Sequence, residues 1–154
     1  MKLLLNSILL FFFSFLNQGS ENFRQPFNSV DLIGINKSFG RQKLVSVNCP
    51  PKIYDGILFE LKDESIIYSI SEGVVDSISL IENRFLGNFI DIRVQDSIVV
   101  TYYHLSSIFV KKGEKINITT ELGISGKTGY TIVNGLGLKV RINDSIVDPY
   151  QYLN

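Results

Sequence analysis

Asn88-Phe89-Ile90-Asp91-Ile92-Arg93-Val94-Gln95-Asp96-Ser97-Ile98-Val99-Val100-Thr101-Tyr102-Tyr103-His104 is the stretch that decides the fold. Apolar and polar residues alternate through 90–95, the polar triplet Gln95-Asp96-Ser97 breaks the run, and β-branched and aromatic residues fill 98–104. Period two marks a strand with one buried face, and such side chains suit a pleated surface. The same grammar continues outward. Residues 43–47, 66–70, 74–80, 121–125 and 136–143 read as further strands, with turn signals at Asp63-Glu64-Ser65, Lys112-Gly113-Glu114 and Asn143-Asp144-Ser145. No window holds a helical period over three turns. Many short strands with regular punctuation predict an all-β domain, an antiparallel sandwich or barrel.

Composition bounds the function. The 154 residues suffice for one domain. Fifteen basic residues balance fifteen acidic ones, so the basic excess of an electrostatic nucleic-acid footprint is missing and no nucleic-acid partner is expected. The chain has one His and one Cys. A zinc site of Cys and His needs three or four such ligands, and a disulfide needs two cysteines, so neither forms within this chain alone. No cofactor is expected.

Residues 1–16 read MKLLLNSILLFFFSFL, a Lys followed by an apolar run interrupted only by Asn6, Ser7 and Ser14. This has the form of a secretory signal and is shorter than the roughly 20 residues that cross a bilayer comfortably. It predicts export to a periplasmic or extracellular location, with cleavage near Gly19 or Ser20 and an uncleaved membrane anchor as the alternative. The expected organisation is a signal over residues 1–20, an N-terminal arm over 21–49 and a β domain over 50–154, joined at Cys49-Pro50-Pro51, where consecutive prolines enforce an extended entry. In an oxidising compartment the unpaired Cys49 is better buried.

From Tyr54 onward an ordered set of segments carries a family likeness. Gly56-Ile57 precedes Glu72-Gly73-Val74-Val75 at the spacing of a "GID" strand and a "DGVV" turn. Leu86-Gly87-Asn88-Phe89-Ile90-Asp91-Ile92 is similar to "YGNxVxI", and Tyr102-Tyr103-His104-Leu105-Ser106 to "YAHLS". Val110-Lys111-Lys112-Gly113-Glu114-Lys115-Ile116 is close to "VxxGDxV", and Leu122-Gly123-Ile124-Ser125-Gly126-Lys127-Thr128-Gly129 to "IGxxGxTG". Lys139-Val140-Arg141-Ile142-Asn143 through Val147-Asp148-Pro149-Tyr150 and Leu153 resembles "EIRVNG…VDPxxYL". Together these resemble the lysostaphin/LytM-type zinc metallopeptidases, which cut peptide cross-bridges of bacterial cell walls. The resemblance implies a compact all-β, two-sheet hybrid with a central groove and a zinc at its floor.

In active members of that family the metal is held by a His two residues before the "GID" glycine, by the Asp of "GID" and by the second His of an "HxH" strand. A His in "YAHLS" and the first His of "HxH" act on the water and the developing oxyanion. Carried over, the metal positions fall on Tyr54, Leu58 and Gly137, and the first "HxH" position on Gly135; His104 alone survives. A hydrolytic zinc needs three protein ligands and an open water position. The expectation is therefore a non-catalytic relative, a pseudo-peptidase without zinc. Residues i and i+2 of a strand share a face, so Gly135 and Gly137 are expected to leave bare backbone in the groove, where close approach of another chain is common. By the same parity Tyr102 and His104 look toward it. The resulting expectation is a vestigial groove that binds a peptidoglycan stem peptide, a cell-wall hydrolase or an envelope partner through Tyr102, His104, Gly135 and Gly137.

Plainer readings stand beside these. His104 also reads as a hydrogen-bonded turn residue, Gly135 and Gly137 as a bulge or tight packing, and Tyr54 as a half-buried edge residue. Gly126-Lys127-Thr128 superficially resembles a phosphate loop, but Glu121 stands where its first Gly is needed. Asn36-Lys37-Ser38, Asn117-Ile118-Thr119 and Asn143-Asp144-Ser145 fit the glycosylation triplet, a pattern common by chance. Glu72, Asp91 and Asp148 read as solvated turn or edge acids, and Lys111, Lys112 and Lys115 as a wet basic turn. Two other classes stay open: a metallopeptidase with an atypical site, such as His104 with Asp91, and a structural envelope subunit that docks by a sheet edge or by residues 21–49.

Overall fold

A computed structural model of the chain describes residues 23–41, 53–83 and 85–153. The expected signal, the Cys49-Pro50-Pro51 joint and the expected strand over 43–47 lie outside the described residues. In chain order the strands are β1 (Leu32–Lys37), β2 (Gly40–Arg41), β3 (Ile53–Tyr54), β4 (Ile57–Leu61), β5 (Ile66–Tyr68), β6 (Gly73–Asn83), β7 (Gly87–Gln95), β8 (Ile98–Leu105), β9 (Ser107–Ile108), β10 (Lys115–Ile116), β11 (Glu121–Ile124), β12 (Gly135–Ile142) and β13 (Ser145–Val147). The main sheet runs β1-β4-β12-β8-β7-β6-β10, with β13 paired to β12. A smaller sheet runs β5-β11-β9, and β2 pairs with β3 as a separate ribbon. The pairs within these sheets are antiparallel. This is the expected all-β, two-sheet architecture.

The chain chemistry explains the joints. Asn143 and Asp144 adopt φ of 48° and 64° and close the β12–β13 hairpin with two residues, a turn that requires positive φ at both centres and favours Asn and Asp there. Gln95-Asp96-Ser97 turns β7 into β8 as the sequence indicates. One hydrophobic cluster joins Ile67 and Leu122 of the smaller sheet to Ile90, Ile92, Val100 and Leu138 of the main sheet. Burying each such side chain contributes about 1.5–3 kcal/mol.

Four strands of the main sheet, β1, β4, β10 and β13, lie outside the expected strands. In β4 the run Ile57-Leu58-Phe59-Glu60-Leu61 is buried at all positions but Glu60, so it has no polar face to alternate with. Part of the expected arm is β1, an edge strand whose register against β4 slips twice. Phe23 and Phe27 ahead of it are buried in the core. Residues 23–37 are thus built into the domain.

Parity in three adjacent strands positions everything that follows. In β4, β12 and β8 the core face carries Ile57 and Phe59, Leu136 and Leu138, and Val100 and Tyr102. The opposite face carries Leu58, Gly137 and Tyr103. Gly137 pairs with Leu58 on one side and with Tyr103 on the other, and Tyr103 pairs with Phe89 of β7. These residues form one transverse row on the outer face of the main sheet.

Candidate functional site

Tyr103 is the centre of the row. It is 3% exposed although it faces away from the core cluster. Its ring lies directly on Gly137, where an added Cβ would overlap ring atoms Cε2, Cζ and Cδ2. At the far end of the ring, a Cβ on Gly56 would sit 2.8 Å from the Tyr103 hydroxyl and 2.6 Å from the Leu138 carbonyl oxygen. Two glycines therefore make room for one tyrosine. The Tyr103 hydroxyl hydrogen-bonds the Tyr54 hydroxyl at 2.9 Å, and either can donate. Lys37 on β1 places its Nζ 5.3 Å from the centre of the Tyr54 ring, a cation–π distance. Burial pushes both phenols above the ordinary tyrosine range, with Asp55 adding to the rise. Both stay neutral and neither is poised as a base.

His104 sits beside this group through an irregularity. Register pairs Asn88 with Leu105 and Phe89 with Tyr103, so His104 is the extra residue of a β-bulge, with φ of 69°. Its backbone N–H donates to the Leu86 carbonyl at 2.9 Å. Its Nδ1 lies 2.7 Å from the Thr128 carbonyl oxygen; a carbonyl only accepts, so Nδ1 carries the proton. The imidazole meets the Tyr103 ring edge-on, with centroids 4.7 Å apart and planes at 62°. Thr128 continues the network, donating to the Leu105 carbonyl at 2.9 Å and accepting from the Asn88 N–H at 3.0 Å.

The bulge overturns the expected parity. Tyr102 does not face the groove with His104. It is fully buried in the core, where its hydroxyl accepts the Ile70 N–H at 2.9 Å. The inserted residue sends position 104 to the side of Tyr103 and returns Leu105 to the core. Gly135 and Gly137 do not present bare backbone either. Gly137 lies under the Tyr103 ring, and a Cβ on Gly135 would overlap the Phe59 carbonyl oxygen. Gly135 also bridges to Gly126 on its other side. Close approach at these glycines is real, but this chain's own backbone and aromatic ring make it. The half-buried position expected for Tyr54 is observed.

Burial lowers the His104 pKa from its ordinary value of 6.5; the Thr128 hydrogen bond opposes the shift and the Lys37 charge adds to it. The unfolded chain thus binds this proton more readily than the folded one, so the contribution to stability is complete above the unfolded pKa and is lost as pH falls below it. We expect the melting temperature to fall between pH 7.5 and pH 5 and His104→Gln to flatten that slope. An unchanged slope in the variant would remove His104 as its source.

The donor set can be tested against the zinc that the resemblance implies. Leu58 offers an isobutyl group and is 0% exposed, Gly137 offers no side chain, and Tyr54 is engaged with Tyr103. The ring of Tyr103 stands over the strand from which an imidazole would project. The residues present do not fit a hydrolytic zinc. The alternative pair of His104 with Asp91 is not supported by a third donor: among the described residues no three of His, Cys, Asp and Glu gather to hold an ion. Asp91 instead accepts the Ser77 hydroxyl at 2.7 Å and the Thr101 hydroxyl at 2.6 Å.

Two clefts adjoin the row. One, of about 300 Å³, is lined by Lys37, Gly129, Tyr130, Thr131 and Ile132. The other, of about 210 Å³, lies on the outer sheet face against Phe89, Asp91, Thr101, Lys139 and Arg141. Lys139 reaches the Asp55 carboxylate at 3.2 Å. Sequence reasoning missed Tyr103 and Lys37. The signal for Tyr103 was present: a tyrosine replaces the Ala of "YAHLS" while a glycine replaces the second imidazole, one gain and one loss of volume on neighbouring strands.

Among relatives, the chain is 30% identical over 95 residues to peptidoglycan DD-endopeptidase ShyA of Vibrio cholerae, covering 62% of this chain and 22% of that protein. It spans under a third of the length of the curated relatives it matches. Among solved structures, a zinc-containing peptidase from Vibrio cholerae superposes with a TM-score of 0.73 at 23% identity, over 82% of this chain and 39% of that one. The SpoIIQ–SpoIIIAH pore-forming complex contributes a chain with a TM-score of 0.73 at 19% identity, over 88% of this chain and 93% of that one. The description of peptidase family M23 matches residues 52–149, the span that holds β3 through β13 and the whole row, and the chain belongs to that family.

Proposed function

We propose that this chain is an exported, non-catalytic M23 domain that binds a peptidoglycan stem peptide or an envelope protein without cleaving it. The observation that carries the reading is the Tyr103 ring seated on Gly137. A peptidase of this family needs an ion to lower the pKa of its water and to polarise the amide carbonyl. Here an aromatic ring holds the place from which a ligand would reach. The binding half of the activity does not need that ion. The cleft beside Lys37 remains, and its rim carries Tyr130 at 69% and Ile132 at 80% exposure. An aromatic and an aliphatic side chain next to one cation suit an anionic peptide. ShyA, named for its action on peptidoglycan, and SpoIIQ, solved with a partner protein, are the precedents for the two partner classes.

The test is co-sedimentation with purified peptidoglycan together with chromatography of the supernatant. We expect retention of the protein with no soluble fragments. Tyr130→Ala combined with Ile132→Ala is expected to weaken retention about tenfold or more, the scale of losing an aromatic anchor. Retention by neither peptidoglycan nor envelope extract, or release of fragments, contradicts the reading. Retention unaffected by the two substitutions places binding away from this cleft, at the edge strand β1 or elsewhere.

A further inference from the structure

We infer that Tyr103 is a built replacement for the family's metal, and that it bars zinc independently of the missing ligands. The inference rests on the non-catalytic reading and adds a separate cause to it. The replacement of the family's ligands by Leu58 and Gly137 removes two of the three bonds that an ion would need. It does not explain why the vacated position is filled. Here the neighbouring strand supplies the filler. The ring lies on Gly137, its hydroxyl stops against Gly56, and the hydroxyl is bonded to Tyr54, the first metal position. Residues from three elements meet at this point: Lys37 of β1 over Tyr54 of β3, and Tyr54 bonded to Tyr103 of β8. Ligands at positions 54, 58 and 137 would belong to β3, β4 and β12, whereas the phenol pair joins β3 to β8.

The consequence concerns reconstruction. An imidazole at position 137 must begin with a Cβ that overlaps the present ring, so it enters only by displacing the Tyr103 ring. Restoring the three ligand types by Tyr54→His, Leu58→Asp and Gly137→His therefore gives only weakened zinc binding while Tyr103 is kept. Adding Tyr103→Ala to the same three substitutions removes that handicap. The probe is zinc ion alone, measured by dialysis and elemental analysis and by the absorption of the cobalt-substituted protein, on the full chain.

The variant with all four substitutions is expected to hold about one zinc per chain, removable by a chelator. The variant retaining Tyr103 is expected to bind at least about tenfold more weakly. Equal binding by both variants overturns the inference, as does a folded four-substitution variant that binds no zinc. If the reconstructed variants do not fold, Tyr103→Ala alone decides. A cavity shaped by a phenol is expected to take up p-cresol, raising the melting temperature saturably, with no rise in the unsubstituted chain. No selective rise means that the ring holds no volume of its own, and the inference fails. Zinc bound by the unsubstituted chain, in contrast, defeats the non-catalytic reading itself, so the two failures are distinguishable.

Discussion

Tyr103→Ala is expected to lower the free energy of unfolding by about 3–5 kcal/mol, the range for truncating a large buried aromatic side chain. The ring is nearly inaccessible, yet it belongs to the outer-face row and not to the main core cluster. Its loss therefore opens a void bounded by Gly137, Gly56 and Tyr54, of which the two glycines have no side chain to relax into it. Urea denaturation gives the value from the shift in midpoint at constant slope. Tyr103→Phe separates the contributions. It keeps the ring and gives up only the bond to Tyr54, so about 1 kcal/mol is expected. A Tyr103→Ala cost no greater than that of Tyr103→Phe would mean that the ring is not packed as described.

Gly137→Ala is expected to destabilise by about 1–3 kcal/mol, against the usual direction. Alanine in place of a strand glycine ordinarily stabilises by roughly 0.5–1 kcal/mol through reduced freedom of the unfolded chain. At Gly137 the added methyl group meets a flat ring held at its far end by Tyr54, so the ring must move and its hydrogen bond must stretch. The sign is the diagnostic. Removing the ring should relieve the clash, so the two substitutions should not add. We expect a coupling of about 0.5–3 kcal/mol in the cycle of Gly137→Ala with Tyr103→Ala, measured by the same denaturation. Simple additivity would separate the two residues.

The elements with clear alternation were legible in the sequence, as were their turns. The strands β6, β7, β8, β11 and β12 fall where period two and turn residues put them, within a residue or a few. Two of the missed strands lack that signal for physical reasons. β4 is apolar on both faces, and β1 is a twice-bulged edge with a glycine inside it. The site was legible as a set of losses, because each absent ligand is a single residue at a known position. Its replacement was not, because compensation between Tyr103 and Gly137 becomes visible only when β8 and β12 are paired. The orientation of Tyr102 failed for a different reason. Strand parity presumes regular pairing, and one inserted residue puts His104 and Leu105 out of step with Tyr102.

With the Tyr103 ring seated on Gly137, the ligand row of this M23 domain is expected not to take the family's ion. The most direct measurement is the zinc content of the full chain after purification and equilibration with excess zinc, followed by removal of unbound ion. Far less than one zinc per chain is expected, with a melting temperature indifferent to a chelator. Stoichiometric zinc whose removal lowers the melting temperature would contradict it.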